Sequence, residues 1–149
     1  MPQPEIRRIN YAAPEYAGEV WHLRETVLRI PLGLSLANED LSRDRLNEIF
    51  IAVAEGKVIG CVFMQPLDAG AIQLRAMAVY AEWQGKGIGR KLVAAAEAWA
   101  RDAGYRKIEL HARKVAQAFY ASLGYKVESG EFMEVGIPHC MMGKMLHGA

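Results

Sequence analysis

The sequence has few cysteines, little excess of charge of either sign and no long apolar run. Two cysteines among 149 residues, Cys61 and Cys140, exclude a disulfide-dense scaffold, and their apolar neighbours predict buried free thiols. A net charge of +1, from 18 basic and 17 acidic residues, is not typical of nucleic-acid-binding proteins. No window of about 18 residues is apolar without a charge, so neither a membrane span nor a secretory signal is expected. We therefore expect a cytoplasmic protein with one domain over residues 1–149, since this length leaves little room for a second core.

The spacing of the apolar residues predicts a mixed α/β arrangement. We predict, in chain order, a strand over 6–11, a helix over 15–29, a short second helix within 32–48, strands over 49–54, 57–64 and 71–80, a helix from the glycines at 85–89 to about 103, a strand over 107–113, a helix over 115–123, and strands over 125–127 and 139–146. Glu55-Gly56 between two β-branched runs is a hairpin signal. The strand–helix–strand units that follow impose parallel pairing in the middle of the sheet, with helices on both faces.

A cluster of alternating glycines opens the second long helix. The first N–H groups of a helix have no partner within it, and the helix dipole adds partial positive charge there. Gly85, Gly87 and Gly89 would let a ligand approach the backbone closely, and Lys86 and Arg90 add cationic side chains. This pattern favours a diphosphate site over the alternative, an ordinary glycine-rich turn between a strand and a helix.

Two other phosphate-binding folds can be tested on the same residues. A P-loop needs Ser or Thr after Gly-Lys, and here Gly87 follows Lys86. A Rossmann fingerprint needs a third glycine where this chain has Arg90, although Glu109 imitates the ribose-binding acid. An antiparallel hairpin precedes the loop, which does not suit a Rossmann unit. A dinucleotide-dependent oxidoreductase therefore remains only a minor rival.

Three segments carry a resemblance to a known family. The residues Gln84–Gly89 (QGKGIG) resemble the Q/R-x-x-G-x-G/A signature of the GNAT superfamily of acyl-CoA-dependent N-acetyltransferases. The segment 118–125 (AFYASLGY) is similar to the F-Y-x-x-L-G-F/Y pattern of that family, and 134–139 (EVGIPH) resembles the tail of its ElaA-type branch. The resemblance covers nearly the whole chain. It implies a mixed, mostly antiparallel sheet with splayed central strands and helices on both faces.

The resemblance implies acetyl-CoA as the acyl donor, with no metal. Its pyrophosphate would bind the amides of the glycine loop, and its pantetheine arm would pair with the preceding strand, where a backbone N–H stabilises the oxyanion. Arg113 holds the spacing at which many relatives place an asparagine, and could meet the cofactor instead. The cofactor-binding residues implied are Met77, Ala78, Val79, Gln84, Gly85, Lys86, Gly87, Ile88, Gly89, Arg90, Arg113 and Phe119.

The implied reaction is direct transfer of an acetyl group to a primary amine of a small molecule or peptide. Tyr120 matches the general acid of the family, because a well-placed phenol with a pKa near ~10 can protonate the departing thiolate. The alternative for Tyr120 is a core tyrosine on an apolar helix stripe. A second class of function stays open as well, namely an acyl-CoA sensor or interaction domain without turnover.

The general base has three candidates. His111 lies on the polar face of the predicted strand 107–113, near where some relatives carry a catalytic glutamate. Glu134 and His139 lie in the tail that commonly borders the acceptor site of the family. Each could instead be a surface residue or a hydrogen-bonded structural residue.

The acceptor is not decided by the sequence. Arg24 and Arg29 could bind an acidic acceptor, whereas Glu39 and Asp40 would favour a polyamine. No nucleic-acid or membrane partner is expected, and a homodimer is compatible with the chain.

Overall fold

The computed structural model describes residues 3–11 and 14–146, and the fold of these residues is built around a mixed eight-stranded sheet. Its strands are β1 (Glu5–Asn10), β2 (Glu48–Ala54), β3 (Lys57–Pro66), β4 (Ala71–Val79), β5 (Lys107–Arg113), β6 (Lys126–Val127), β7 (Phe132–Glu134) and β8 (Ile137–Met145). Their order is β1-β2-β3-β4-β5-β8-β6, with β7 paired to β8. Only β4 and β5 pair in parallel within this part of the chain. The predicted mixed, mostly antiparallel sheet is confirmed.

Helices cover both faces of the sheet, as predicted. They are α1 (Pro14–Arg24), which continues as a π turn (Glu25–Arg29) and a 3₁₀ turn (Ile30–Leu32), α2 (Ile88–Asp102) and α3 (Gln117–Ser122). Further 3₁₀ turns span Leu36–Asn38, Ser42–Leu46, Ala81–Trp83 and Lys114–Ala116. Because strands β2 and β3 are packed on both faces, nearly all of their residues are buried. None of the helices in the described ranges is long and apolar enough to cross a membrane.

The α2 helix packs against one face of the sheet through a stripe of residues four apart. Leu92, Ala96 and Ala100 are fully buried in this stripe, against strand residues such as Ile108. Gly60 on β3 allows the close approach, since a Cβ atom there would lie 3.1 Å from a methyl carbon of Leu92. On the other face, α1 packs through Val20 and Leu23. The cysteines Cys61 and Cys140 are buried and free, as expected.

The two central strands separate halfway along their length. Strand β4 pairs with β5 only from Ala71 to Leu74, and beyond that point it pairs with β3 alone. A bulge lies in the separated half, where Ala76 has a φ of +53° and the register against β3 shifts. The splay implied by the resemblance is therefore present, and it opens the sheet beside the glycine loop.

Three details of the predicted elements are wrong. The segment 32–48 contains only 3₁₀ turns, because side chains such as Ser35 and Asp40 bond to nearby backbone N–H groups and compete with a helix. The last helix begins at Gln117, two residues after its predicted start, and Val115 at that start is 93% exposed. Strand β7 was not predicted. The predicted domain ends, 1 and 149, lie outside the described residues.

Candidate active site

A cleft of about 1250 Å³ opens where β4 and β5 separate. Its walls are the outer half of β4, the glycine loop, the polar face of β5, helix α3 and the turn between β7 and β8. The π turn after α1 closes the far end. The cleft brings together every predicted site residue except Lys86, whose ammonium group lies 5.6 Å from the centre of the Trp83 ring.

The glycine loop presents a row of free amides to the cleft. Gly85 and Gly87 have φ values of +76° and +81°, which glycine adopts without strain. The first helical bond of α2 runs from the Lys91 N–H to the Gly87 carbonyl, at 3.1 Å. Within the described residues, no N–H group from 85 to 90 donates a hydrogen bond. Six unsatisfied donors at a helix start fit a pyrophosphate well.

The outer half of β4 offers a second set of backbone groups. Beyond Leu74 this strand has no neighbour on the β5 side, so the edge formed by Met77, Ala78 and Val79 faces the cleft. An extended ligand with amide groups could pair with such an edge like an added strand. Phe119 packs directly against the glycine loop, because a Cβ atom on Gly89 would lie 3.2 Å from the Phe119 ring.

Tyr120 lies in an aromatic cluster at the side of the cleft. It is 6% exposed, and its ring centre lies 5.0 Å from that of Phe119 and 5.8 Å from that of Tyr125, in edge-to-face geometry. Within the described part of the chain its hydroxyl forms no hydrogen bond. Burial raises the pKa of Tyr120 above its ordinary value, with only partial opposition from the positive charge of Arg113. The phenol therefore keeps its proton.

The three candidate bases lie together around one carboxylate. The Nδ1 atom of His111 lies 2.8 Å from Oε1 of Glu134, and the Nε2 atom of His139 lies 3.7 Å from Oε2 of the same residue. A carboxylate only accepts hydrogen bonds, so His111 carries its hydrogen on Nδ1 and leaves Nε2 as an acceptor when neutral. His139 is 3% exposed, and its Nδ1–H donates to the Ile137 carbonyl at 2.9 Å.

The position of Glu134 depends on the hairpin that the sequence analysis missed. Strands β7 and β8 join through Val135 and Gly136, whose φ values of +46° and +78° make a tight turn. The usual sequence signal was absent, because such turns favour Asn-Gly or Asp-Gly and here a valine, Val135, precedes the glycine. Phe132 on β7 packs edge-to-face on His111 at 5.2 Å between ring centres.

A buried ion-pair cluster also lines the cleft, and the sequence did not predict its acid. Asp44, 2% exposed, accepts from Arg24 at 2.7 Å and from Arg75 at 2.8 Å. The guanidinium of Arg24 also lies 4.6 Å above the Phe63 ring centre. These three residues come from distant segments of the chain, so no local pattern in the sequence predicts that they form ion pairs.

The two acids that would favour a polyamine acceptor are already engaged. Glu39 accepts from Arg29 at 3.1 Å, and this contact holds the pKa of the Glu39 carboxyl below its ordinary value. Asp40 accepts from the backbone N–H of Ser42 at 3.0 Å. The Glu39 carboxylate is therefore less available to a cationic ligand than the sequence suggests, whereas Asp40 forms no ion pair within the described residues.

Solved structures with the same fold include the following three. The crystal structure of a candidate N-acetyltransferase from Lactobacillus plantarum has a TM-score of 0.86 and 25% identity, over 98% of this chain and 100% of that one. Escherichia coli ElaA has a TM-score of 0.84 and 16% identity, over 95% and 99% of the two chains. PaiA N-acetyltransferase from Thermoplasma acidophilum, solved in complex with coenzyme A, has a TM-score of 0.77 and 19% identity, over 97% and 99%. The last two show a likeness of fold alone.

The chain belongs to the acetyltransferase (GNAT) domain family, whose model matches residues 45–127. That match spans more than half of the chain and contains the glycine loop and Tyr120, which confirms the family that the sequence motifs indicate. The curated relatives are matched over 39–56% of their own length. Within the described ranges, no group of three or more His, Cys, Asp or Glu side chains has a geometry that could hold a metal ion.

Proposed function

We propose that this chain transfers an acetyl group from acetyl-CoA to a primary amine of a small molecule or peptide by direct transfer. One observation carries the proposal: the free amides of residues 85 and 87–90, the unpaired edge of β4 and Tyr120 all line one cleft. These are the groups that bind a pyrophosphate, an amide-bearing arm and a departing thiolate. The coenzyme A in the structurally similar PaiA protein supports the choice of donor.

The donor would lie along the separated strands. The amides of 85–90 bind its pyrophosphate, with the side chains of Gln84 and Arg90 alongside, and Phe119 closes the wall. The edge of Met77, Ala78 and Val79 pairs with its pantetheine arm. A backbone N–H of this edge donates to the thioester oxygen and stabilises the negative charge that develops there during attack.

His111 takes the role of general base. An amine with a pKa near ~10.4 is almost wholly protonated at neutral pH and must lose a proton before it attacks the carbonyl carbon. The Nε2 atom of His111 accepts that proton, while Glu134 holds the ring through Nδ1 and stabilises the imidazolium. His139 is the less available imidazole, since it is buried behind the same carboxylate and its Nδ1–H donates to the Ile137 carbonyl.

Tyr120 takes the role of general acid. When the tetrahedral adduct collapses, the C–S bond breaks and its electron pair leaves on sulfur. The Tyr120 hydroxyl donates its proton to this thiolate, and the N-acetylated amine and coenzyme A thiol are the products. The adduct nitrogen loses its second proton as the amide forms, and this proton restores the Tyr120 hydroxyl, while the His111 imidazolium releases the first proton to solvent. The raised pKa of Tyr120 keeps its acid form present before transfer.

The test is release of free thiol from acetyl-CoA with a panel of primary amines, with the acetylated product identified by mass spectrometry. With a productive amine, His111→Ala should lower turnover by ~10²–10⁴, the usual contribution of a general base, and leave acetyl-CoA binding intact. If His111→Ala keeps the parent turnover and Glu134→Ala or His139→Ala loses it, the base is that other residue. Binding of acetyl-CoA without transfer to any amine would instead indicate a sensor.

A further inference from the structure

Two guanidinium groups converge at the acceptor end of the cleft. Arg29, in the π turn after α1, donates from Nη1 to the Leu28 carbonyl at 3.1 Å. Arg113, at the end of β5, donates from Nη2 to the same carbonyl oxygen at 3.0 Å. Both side chains line the cleft. Two like charges are therefore held side by side at a surface that a substrate reaches.

The two charges are not equally compensated. Glu39 neutralises Arg29 through a two-pronged ion pair. Arg113 forms no ion pair with any carboxylate of the described residues. Burial lowers the pKa of Arg113 below its ordinary value, and the neighbouring Arg29 lowers it further, against a weaker pull from Glu134. Glu134 is itself occupied by His111. An anionic group from a ligand would complete this site.

The shape of the site selects the kind of anion. With one N–H on the Leu28 carbonyl, Arg113 keeps other N–H groups of its planar fork free to meet two oxygens in one plane. His111 and Arg113 lie on the same face of β5, two residues apart, which is about 6.6 Å along a strand. A molecule the size of an amino acid can therefore place its amine near the base and an anion at the guanidinium.

We infer that the acceptor is an amine that also carries a carboxylate, and that Arg113, with Arg29 beside it, binds this carboxylate. The inference rests on the proposed acetyl transfer and narrows its substrate class. It gives Arg113 a role on the acceptor, as opposed to the cofactor contact that the family resemblance implies. The ion pair between Glu39 and Arg29 agrees with it, since that carboxylate is already neutralised.

The experiment compares matched acceptors that differ only in the carboxylate. The probes are L-amino acids against their carboxamides, and β-alanine and γ-aminobutyrate against propylamine and butylamine. For each acceptor with a carboxylate that is acetylated, kcat/KM should be ~10- to 100-fold higher than for its neutral counterpart, the range expected for charge-assisted hydrogen bonds. Arg113→Gln should abolish this preference and leave the KM for acetyl-CoA unchanged. Arg113→Lys keeps the positive charge but lacks the planar pair of N–H donors, so it should retain only part of the preference for the acids.

Arg45→Gln is the matched control, because Arg45 is exposed and does not line the cleft. It should keep both the rate and the preference. If the unmodified protein acetylates the acids and their neutral counterparts at equal rates, the inference is overturned but the proposed acetyl transfer is not. This comparison uses only the unmodified protein, so it does not depend on whether a variant folds. A higher KM for acetyl-CoA in Arg113→Gln, with the preference intact, would also overturn it. Transfer to no amine at all would overturn the proposed function together with the inference.

Discussion

Replacing Tyr120 with phenylalanine should separate catalysis from folding. The substitution removes one oxygen atom and leaves the aromatic cluster with Phe119 and Tyr125 in place. If the hydroxyl protonates the departing thiolate, the loss should appear in turnover and not in the affinity for acetyl-CoA. The parent should also lose no turnover to ionisation of Tyr120 below about pH 10, because burial raises the pKa of this phenol above its ordinary value.

The structure predicts that Tyr120→Phe changes turnover far more than it changes stability. Because the Tyr120 hydroxyl has no hydrogen-bond partner within the described residues, we expect the free energy of unfolding to change by less than about 1 kcal/mol. For a domain of this size, that corresponds to a change in Tm of no more than about 4 °C. Loss of a general acid should lower turnover by ~10²–10⁴, which is about 3–5 kcal/mol in activation free energy. The catalytic effect should therefore exceed the effect on stability several-fold.

Tyr125→Phe provides a control with the same chemical change in the neighbouring ring. The Tyr125 hydroxyl donates to Glu97 at 2.8 Å, and the same carboxylate accepts from Lys144 at 3.0 Å. Its removal weakens a buried hydrogen-bonded group, so we expect about 1–2 kcal/mol of lost stability and an unchanged turnover per folded molecule.

The assay is steady-state thiol release for both variants, with Tm measured by differential scanning calorimetry. The expected pattern is opposite for the two residues: Tyr120→Phe is stable and slow, whereas Tyr125→Phe is less stable and fast. Turnover of Tyr120→Phe at the parent rate would show that Tyr120 is a packing residue. The same conclusion would follow if both variants lost turnover equally.

Two further predictions concern the glycine loop and a buried thiol. Gly87→Val should abolish the rise in Tm that acetyl-CoA causes. The control is Gly56→Val, at a similar positive φ in a distant hairpin, which should lower the stability but keep that rise. A preserved rise in Gly87→Val would refute the assignment of the glycine loop to the pyrophosphate. Burial raises the pKa of Cys61 to about 12, so its thiol should not react with Ellman's reagent in the native protein at pH 8. Because the folded-state pKa is the higher one, the stabilisation from Cys61 is complete below about pH 9 and declines as the pH rises towards 12. Rapid labelling of the native protein at Cys61 would contradict this.

Local periodicity was sufficient to predict most of the fold. The alternation along β5 correctly placed His111 on the polar face, opposite the face of the buried Ile108, because a strand has a period of two. The glycines at 85–89 correctly located the start of α2, since positive φ values leave few other residues possible there. These features depend on residues close together in the chain.

The parts that the sequence did not reveal depend on distant contacts. Asp44 is buried only because Arg24 and Arg75, from separate segments, neutralise it. Likewise, the sequence named His111 and Glu134 as rivals for one role, and only the β7–β8 hairpin shows that they form a pair. The 3₁₀ turns of 32–48 replaced a predicted helix because side-chain capping outweighed a weak helical pattern.

A crystal structure of the protein with bound acetyl-CoA tests the central claim most directly. We predict the pyrophosphate on the amides of residues 85–90, the pantetheine arm along the edge of Met77 to Val79, and the thioester sulfur within hydrogen-bonding reach of the Tyr120 hydroxyl. Acetyl-CoA bound outside the cleft between β4 and β5, or with its thioester turned away from Tyr120 and His111, would contradict the account.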